Sequence, residues 1–472
     1  MSYSAASEFV MLHLGLGSFH RAHQAVYLQA LVDAGDARWS LVGTNIRPDM
    51  ADLLTALQKQ GGAYTLETVS PAGEYRYQRI ESIRQVLPYE SSLAGAVEVA
   101  SQASTRIISF TVTEAGYYLD PSAQLDTQAP DILDDVRKLG RGEAGSTIFG
   151  AVAAMLRARM KSDAGPVTLL SCDNLRHNGD RFRAMLRSFL ELLGDAPLLA
   201  WMEVHTRCPN SMVDRITPRP PPELRERVRQ ATGQDDAAPV SGESFIQWVI
   251  EDDFANGRPE WERVGVQMVA SVSPYEEAKI RILNASHSCI AWAGTLAGMR
   301  FIHEGALTPA IRRLAYAYVT DDVIPCLDRP GAPSPVDLPS YRDVVLERFG
   351  NAAVRDTNQR VAMDGFSKIP GFIAPTVRER LAAGQSIASV SVLPALFLGF
   401  LQRWHTGQLP YEYQDQAMDP AVAHVICSAA DPVAAFCADA SLWNELAGDP
   451  RLTDAVRAAT RRNAALIEGT AP

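Results

Sequence analysis

The sequence has few cysteines, and no two of them lie at metal-ligand or redox spacing. Its six cysteines are in separate segments, at positions 172, 208, 289, 326, 427 and 437. Zinc knuckles and thiol redox centres need pairs of cysteines a few residues apart. We therefore expect buried free thiols, and neither a zinc site nor a redox pair.

The sequence also lacks an excess of basic residues and any long apolar run. Its 44 Lys and Arg residues face 55 Asp and Glu residues, which gives a formal net charge of −11. Nucleic acids and anionic membranes are bound mainly by clustered Lys and Arg, so neither partner is expected. Apolar stretches such as SVLPALFLGFL are too short for a membrane span, and MSYSAASEFV does not resemble a signal peptide. We predict a cytoplasmic protein, a monomer or small homo-oligomer, that binds a small molecule.

The 472 residues are enough for two hydrophobic cores. In the first part of the chain, apolar runs typical of strands alternate with helical patterns, as in EFVMLHLGLGSFHRAHQAVYLQALVDAG, WSLVGTNI, ADLLTALQKQ, RIISFTVTEAGYYL and PVTLLSCDN. This alternation predicts a mostly parallel sheet. After about Ser273 long helical patterns dominate. We predict an α/β dinucleotide-binding domain over residues 1–273 and a mostly α-helical substrate domain over residues 274–472.

A glycine turn lies between the first strand and the first helix. Gly15 and Gly17 in HLGLGSFHRAH stand where backbone N–H groups and the helix dipole can hold a pyrophosphate. His20 replaces the third glycine of the GxGxxG pattern, so a purely structural turn stays open as an alternative. Arg21 and His23 are equally compatible with packing or surface positions.

The residues after the second strand bear on the choice of cofactor. Asp49 in NIRPDM is the acid expected to bind the ribose hydroxyls of NAD, whereas Arg47 is able to accept the 2′-phosphate of NADP. We expect NAD, because an acid at this place repels the extra phosphate.

The segment SPYEEAKIRILNASHSCIAW predicts a helix with a polar side. Ser273 as N-cap, Pro274 at the first helical position and Glu276 as capping-box acid indicate where it starts. At 100° per residue, Glu276 and three further polar residues project within an arc of roughly 140°. Those three are Lys279, Asn284 and His287.

Polar residues on an otherwise apolar helix are costly to bury unless they bind something or one another. Lys279 lies in the second turn, where the positive helix end and partial desolvation favour an uncharged amine, the form that acts as a general base. From these residues alone, an ordinary polar interface is an equal alternative. The capping box by itself explains Glu276, and core packing by itself explains His287.

The pattern Lys-x4-Asn-x2-His in KIRILNASH resembles the signature of the polyol-specific long-chain dehydrogenases, the mannitol 2-dehydrogenase family. The resemblance extends in order through GLGSFHRAHQA, TVTEAGYY, SCDNLRHNG, PNSMVDRITPRP, GESFIQWVIEDDF and DGFSKIP. It implies a Rossmann-type N-terminal domain, a mostly helical C-terminal domain, an active site in a cleft and no metal. ETVSPAGE and YRDVVLERF resemble members that oxidise D-arabinitol to D-xylulose with NAD⁺, with mannitol and related polyols as further substrates.

The resemblance implies a role for each matching residue. Lys279 is then the general base, Asn174 in SCDN and Asn284 hold the reacting oxygen, and His287 orients the substrate and the lysine. The sequence also allows Asn174 a simple Asx turn after its strand. Two amides that donate to one oxygen would form an oxyanion-hole arrangement, which suits the alkoxide character that develops as a hydride leaves a carbinol.

Two acids complete the implied catalytic set. Asp214 in MVDRITP matches an acid near the lysine, and Glu276 matches a carboxylate that passes the proton to solvent. Asp214 is also explained by a pair with Arg215 or a capped turn. The second acid of firmly NAD-selecting members corresponds here to Met50. The predicted cofactor site comprises Gly15, Gly17, Ser18, Phe19, Arg21, Arg47, Asp49 and Glu114.

Two other functions fit parts of the same sequence. Hexuronate reductases of the fructuronate and tagaturonate type share the lysine signature, but they need an additional cation for the substrate carboxylate. A non-catalytic dinucleotide-binding sensor would keep the fold without chemistry. The presence together of Lys279, Asn284, His287 and Asn174 disfavours the sensor.

Overall fold

A computed structural model describes residues 8–120 and 123–468. The chain divides into two compact units, one of residues 1–70 and 74–273 and the other of residues 71–73 and 274–472. No helix among the described residues is long and apolar enough to cross a membrane.

The first unit contains all twelve strands of the described chain. They are β1 (Phe9–Leu14), β2 (Trp39–Thr44), β3 (Tyr64–Val69), β4 (Tyr75–Ile80), β5 (Ile83–Val86), β6 (Thr105–Phe110), β7 (Val167–Ser171), β8 (Thr206–Arg207), β9 (Ser211–Asp214), β10 (Val240–Glu243), β11 (Gln247–Glu251) and β12 (Gln267–Val269).

Nine α-helices accompany these strands in the first unit. They are α1 (Ser18–Ala22), α2 (Gln24–Asp33), α3 (Ala51–Lys59), α4 (Ala94–Ala100), α5 (Pro130–Gly140), α6 (Ile148–Lys161), α7 (Asn178–Leu193), α8 (Ala196–His205) and α9 (Leu224–Thr232). Short 3₁₀ helices cover Pro48–Met50, Glu114–Tyr117 and Trp261–Val264.

The main sheet is parallel, with strand order β5-β2-β1-β6-β7-β8. Its central strands are buried along nearly their whole length because a parallel sheet is covered on both faces. Leu14 lies opposite both Thr44 and Phe110, and Phe110 lies opposite Ser171. The carboxyl ends of β2, β1, β6 and β7 therefore form one row, and the order of connection reverses between β1 and β6. Such a reversal is where open α/β sheets bind ligands.

Two small sheets, which the sequence did not predict, complete the first unit. One has the order β10-β3-β4 and the other the order β12-β11-β9. Their strands are three to six residues long and mix polar with apolar side chains, so no continuous apolar run marks them in the sequence.

The second unit is helical, as predicted. Its α-helices are α10 (Ser273–Ala278), α11 (Ala285–Leu296), α12 (Ile302–Leu307), α13 (Pro309–Ala317), α14 (Ile324–Leu327), α15 (Leu338–Phe349), α16 (Asn358–Ala362), α17 (Gly365–Lys368), α18 (Ala374–Ala382), α19 (Val392–His405), α20 (Pro420–Ser428), α21 (Pro432–Ala438), α22 (Ala440–Trp443) and α23 (Pro450–Glu468). A 3₁₀ turn covers Asn444–Leu446.

Three π-helical segments interrupt these helices, at Lys279–Asn284, Tyr318–Val323 and Ile369–Ile373. π turns are rare in proteins, and those that occur are often found at functional sites. The fold class predicted from the sequence, a Rossmann-type α/β domain followed by a mostly α-helical domain, is confirmed. All six cysteines are free, as expected; four are buried, and Cys208 and Cys427 are half-buried.

Candidate active site

The glycine turn is built so that its first glycine cannot be replaced without strain. Gly15 has φ +99°, and a Cβ at this position would lie 2.2 Å from the carbonyl oxygen of Thr111. Gly17 is the N-cap of α1 with φ −85°, and a Cβ there would meet only the Gly15 oxygen, at 3.9 Å. Gly15 therefore serves the backbone geometry, whereas Gly17 leaves space at a helix N-terminus.

A buried histidine supports this turn from below. His13 Nε2 lies 3.1 Å from the Gly15 oxygen, and its Nδ1 lies 2.9 Å from Ser109 Oγ. Thr111 Oγ1 donates to the same Gly15 oxygen at 2.7 Å. Burial lowers the pKa of His13 to about 3, so the ring is neutral at physiological pH. A neutral ring donates from Nε2 to the Gly15 carbonyl and accepts at Nδ1 from the Ser109 hydroxyl.

A cleft opens at the carboxyl ends of β1, β2 and β6, and we call it the strand-end cleft. It encloses about 270 Å³. Its lining consists of Gly15, Gly17, Asn45, Ile46, Arg47, Asp49, Met50, Thr111, Val112, Thr113, Gly116 and Ile148. A mostly apolar cleft at the switch point of a parallel sheet is the usual place for a dinucleotide.

Asn45 in this lining escaped the sequence analysis. Its Oδ1 accepts the backbone N–H of Leu16 at 2.6 Å, which fixes the glycine turn to the end of β2. Its Nδ2 is buried and has no hydrogen-bond partner among the described residues. A polar residue directly after a parallel strand is the sequence signal that would have identified it.

The residues present fit a dinucleotide, although the turn lacks the third glycine of the usual pattern. Helix α1 presents its N-terminus at Gly17, Asn45 offers an unused donor, and Asp49 lies on the β2 side of the lining. In place of the third glycine, the neutral ring of His20 stacks on His13 at a centroid distance of 3.4 Å.

The structure brings together some of the predicted cofactor residues and not others. Gly15, Gly17, Arg47 and Asp49 line the strand-end cleft. Ser18 and Phe19 form the first turn of α1, next to the lining.

Of two further predicted cofactor residues, Arg21 lies away from the cleft, and the side chain of Glu114 is not among those the structure describes. Arg21 is not part of the cleft lining, because its buried guanidinium donates to the Ala238 oxygen at 2.6 Å and lies over the ring of Tyr64. Glu114 begins the 3₁₀ helix Glu114–Tyr117, and its side chain lies outside the described part of the chain.

The predicted polar residues of the first unit sit at strand ends. Asn174 is exposed in the turn that follows β7, and Asp214 is the buried last residue of β9. The neighbouring Arg215 donates to the backbone oxygens of Ala22 and Glu243, at 2.6 Å and 2.9 Å.

The predicted catalytic helix is not a uniform α-helix. α10 begins at Ser273, one residue earlier than the capping pattern implied, and the π-helical segment Lys279–Asn284 follows it directly. The 140° arc assumed an α-helical turn throughout and is wrong, because the wider π turn changes the angle between residues on either side of it. The π turn begins at Lys279 and ends at Asn284. Lys279 is buried, as is Glu276, and Asn284 is half-buried.

His287 has neighbours that the sequence analysis missed. Its ring stacks on Phe349 at 4.3 Å, and its Nε2 lies 3.4 Å from Asp356 Oδ2, longer than an ordinary hydrogen bond. Burial lowers the pKa of His287 despite the opposing carboxylate, so the imidazole is neutral at physiological pH. Burial would raise the pKa of Asp356, but His287 and Arg360 hold it below its usual value.

Lys368 is a half-buried amine of the same unit. Its Nζ donates to the Val361 oxygen at 2.6 Å, and burial lowers its pKa to about 8. It also lowers the pKa of His287 through its charge, which places it near the same cluster. Within the described residues, no three or more His, Cys, Asp or Glu side chains are grouped to hold a metal ion.

Two family profiles match the chain in sequence. The mannitol dehydrogenase Rossmann domain matches residues 10–263, and the mannitol dehydrogenase C-terminal domain matches residues 271–463. The chain belongs to the mannitol dehydrogenase family. The resemblance noted from the sequence and the predicted enzyme class, a polyol dehydrogenase that acts on a secondary alcohol, are thereby confirmed.

Members of the mannitol dehydrogenase family match over nearly the whole chain. A D-arabinitol 4-dehydrogenase of Ralstonia nicotianae is 60% identical over 97% of each chain, and one of Klebsiella pneumoniae is 52% identical over 94% of this chain and 95% of that one. The solved ternary complex of Pseudomonas fluorescens mannitol 2-dehydrogenase with NAD and D-mannitol has a TM-score of 0.82 at 32% identity, covering 98% of this chain and 94% of that one. Family membership and this neighbour support a nicotinamide dinucleotide as the cofactor.

Proposed function

We propose that this enzyme oxidises D-arabinitol to D-xylulose with NAD⁺, and that Lys279 is the general base. The observation that supports the substrate is the 60% and 52% identity, over more than nine tenths of each chain, to two D-arabinitol 4-dehydrogenases. Mannitol and related polyols are further substrates of the proposal, because mannitol 2-dehydrogenases are related at lower identity, for example 39% over 82% of this chain.

The preference for NAD over NADP is argued from Asp49. Asp49 lines the β2 side of the strand-end cleft, where its negative charge would repel a 2′-phosphate. Arg47, the residue that would favour NADP, donates to the hydroxyl of Tyr118 at 2.9 Å. Tyr118 in turn donates to Asp131 at 2.7 Å, so Arg47 is held in a chain that ends on a carboxylate.

In the proposed reaction, the hydride leaves the carbinol carbon and the hydroxyl proton goes to the uncharged amine of Lys279. NAD⁺, when bound, supplies the hydride acceptor. The products are the ketone D-xylulose, NADH and one proton, which Glu276 passes to solvent. General base catalysis of this kind contributes about 10²- to 10⁴-fold to rate.

Four further residues have supporting roles in this proposal. The amides of Asn174 and Asn284 donate to the reacting oxygen and stabilise its alkoxide character. His287 is neutral, as argued above, so it both donates and accepts hydrogen bonds and is able to orient a substrate hydroxyl next to the lysine. Asp214 is the acid proposed to act near the lysine.

Steady-state assay with D-arabinitol and NAD⁺ at alkaline pH tests the proposal. We expect formation of NADH and of D-xylulose, identified by chromatography, and slower turnover with NADP⁺. Lys279→Ala should lower kcat about 10²- to 10⁴-fold while NADH still binds. Lys161→Ala, at the end of α6, is the matched control and should behave as the wild type.

Three outcomes would contradict the proposal. Near wild-type turnover in Lys279→Ala would reject the lysine as base. A ketose other than D-xylulose, or faster turnover of a hexuronate, would reject the substrate. Loss of activity with a chelator, restored by zinc, would reject metal-independent chemistry.

A further inference from the structure

Asp173 is a buried carboxylate with no role in the proposed reaction. It follows β7 and directly precedes Asn174, and it is 6% exposed. Buried carboxylates are costly unless hydrogen bonds compensate for the lost hydration. The groups that donate hydrogen bonds to Asp173 therefore indicate which segments it holds in place.

On one side, Asp173 holds the wall of the strand-end cleft. Its Oδ1 accepts the backbone N–H of Val112 at 2.7 Å, and its Oδ2 accepts the hydroxyl of Tyr117 at 2.7 Å. Residues 112–117 include Val112, Thr113 and Gly116, which line that cleft after β6. One carboxylate thus fixes both ends of this segment, which we call the β6 wall.

On the other side, Asp173 is connected to β9. Asn178 Nδ2 donates to the Asp173 backbone oxygen at 2.9 Å and to the Ser211 backbone oxygen at 2.8 Å. The N–H of Ser211 donates back to Asn178 Oδ1 at 2.9 Å. Ser211 begins the short strand that ends at Asp214. The turn with Asn174 is therefore linked to both the β6 wall and the strand of Asp214.

We propose that Asp173 is a positioning residue that holds the β6 wall in the shape that binds the dinucleotide and aligns it with the turn that carries Asn174. This inference rests on the proposed function, because it assumes that the strand-end cleft holds the nicotinamide cofactor.

The charge of Asp173 gives this role a measurable signature. Burial raises the pKa of Asp173 to about 7, while hydrogen bonds from Tyr117, Val112 and Ser171 oppose the rise. Tyr117 and Cys172 are titratable neighbours of Asp173, and burial raises the pKa of both. No charged side chain contributes to the shift of Asp173. The carboxylate is therefore ionised above about pH 7 and neutral below it.

An ionised acceptor makes stronger hydrogen bonds than a neutral one, so the β6 wall is held more firmly above this pH. NADH affinity should therefore rise as Asp173 ionises. The gain of a charge-assisted over a neutral hydrogen bond corresponds to an affinity about five- to tenfold higher.

Fluorescence titration of the full-length enzyme with NADH, from about pH 6 to about pH 8.5, tests the inference. Asp173→Asn keeps the shape of the side chain but stays neutral. We expect its affinity to equal that of the wild type at low pH, to be about five- to tenfold lower at high pH and to show no titration near pH 7. Asp195→Asn removes a carboxylate that caps α8 and pairs with Arg157, outside the cleft lining, and is the matched control.

Tyr117→Phe tests the same inference without a change at Asp173. It removes a donor that lowers the pKa of Asp173, so the midpoint of the affinity change should move to higher pH. Equal affinity of wild type and Asp173→Asn at high pH, or an unmoved midpoint in Tyr117→Phe, would overturn the positioning role while leaving the proposed function intact. Failure of the wild type to bind NADH at any pH would instead reject the proposed function, and this inference with it.

Discussion

Two glycines in one turn have different tasks. At Gly15 a side chain is excluded by the positive φ and by the carbonyl oxygen of Thr111. At Gly17 the fold has space for a Cβ, but the added methyl group would project into the cleft lining. We expect Gly15→Ala to cost at least about 1–3 kcal/mol of stability from the strained φ alone, and more from the contact. Gly17→Ala should leave the melting temperature unchanged but weaken NADH binding at least about tenfold.

Thermal unfolding and NADH titration of both glycine variants check this division. A Gly17→Ala protein that is destabilised as strongly as Gly15→Ala would show that the second glycine also serves the backbone. Unchanged NADH affinity in Gly17→Ala would place the pyrophosphate away from this helix N-terminus.

Asp173 should also make stability depend on pH. The folded protein keeps the Asp173 proton up to about pH 7, whereas the unfolded chain loses it near the usual value of 3.8. The folded state thus binds more protons between these values, and its free energy of unfolding falls as pH rises through that window. Asp173→Asn stays neutral, so it should exceed the wild type in melting temperature by little near about pH 4 and by more near about pH 8.

Differential scanning calorimetry at the two pH values tests this expectation. At the higher pH the same variant should bind NADH more weakly than the wild type does. The substitution would thus raise stability and lower affinity at that pH. If the variant is less stable than the wild type at both pH values, ionisation of Asp173 does not destabilise the folded protein, and the expectation is wrong.

At the residue scale, the sequence predicted what lies within one motif and missed what is contributed from far along the chain. Gly15 and Gly17 were found because strand, turn and helix are adjacent in sequence. Asp173 stands inside the quoted SCDN, but its role depends on Val112 and Tyr117, about sixty residues earlier. The Asp356 partner of His287 was out of reach for the same reason, since local patterns carry no information on long-range contacts.

At the scale of elements, the central example is the helix that carries Lys279. Its start near Ser273 was predictable because capping chemistry is local. Its π turn was not, because the contacts that surround it come from other helices. Arg281, inside the π turn, pairs with Glu277 at 2.7 Å and with Glu379 at 2.8 Å. The hydroxyl of Tyr318 donates to the Arg281 backbone oxygen at 2.9 Å.

The contact of Tyr318 predicts an effect on catalysis rather than on cofactor binding. Tyr318→Phe removes a buried donor to the π turn whose first and last residues are Lys279 and Asn284. We expect kcat to fall about tenfold, because a small displacement of a catalytic group is costly, while NADH affinity stays within about twofold of the wild type.

Tyr411→Phe is the matched control for this variant. Tyr411 is also in the second unit, and its hydroxyl lies 2.7 Å from Thr295 Oγ1, away from the π turn. Both variants lose one hydroxyl hydrogen bond, buried for Tyr318 and part-buried for Tyr411, at about 1 kcal/mol each. Equal kcat values for the two variants would show that the Tyr318 contact stabilises the unit without positioning the lysine.

At the scale of the whole molecule, each unit has its own hydrophobic core. Two core clusters draw only on residues of the first unit, and the third, which includes Trp292, Phe397 and Trp443, draws only on the second. The alternation of strands and helices, followed by helices alone, was enough to predict this division into classes of structure. Each core is large enough to unfold as a cooperative unit.

Separate cores predict two thermal transitions, only one of which responds to the cofactor. NADH should raise the transition of the first unit, because a ligand stabilises the state that binds it. Leu186→Ala and Leu396→Ala are matched substitutions of fully buried leucines in the first and second units. Each should lower the free energy of unfolding of its own unit by about 2–5 kcal/mol, and with it the temperature of that unit's transition. The transition temperature of the other unit should not change. Calorimetric scans of the wild type and both variants, with and without NADH, measure this. A single transition that shifts with either substitution would mean that the two units unfold together. The two cores would then form one cooperative unit.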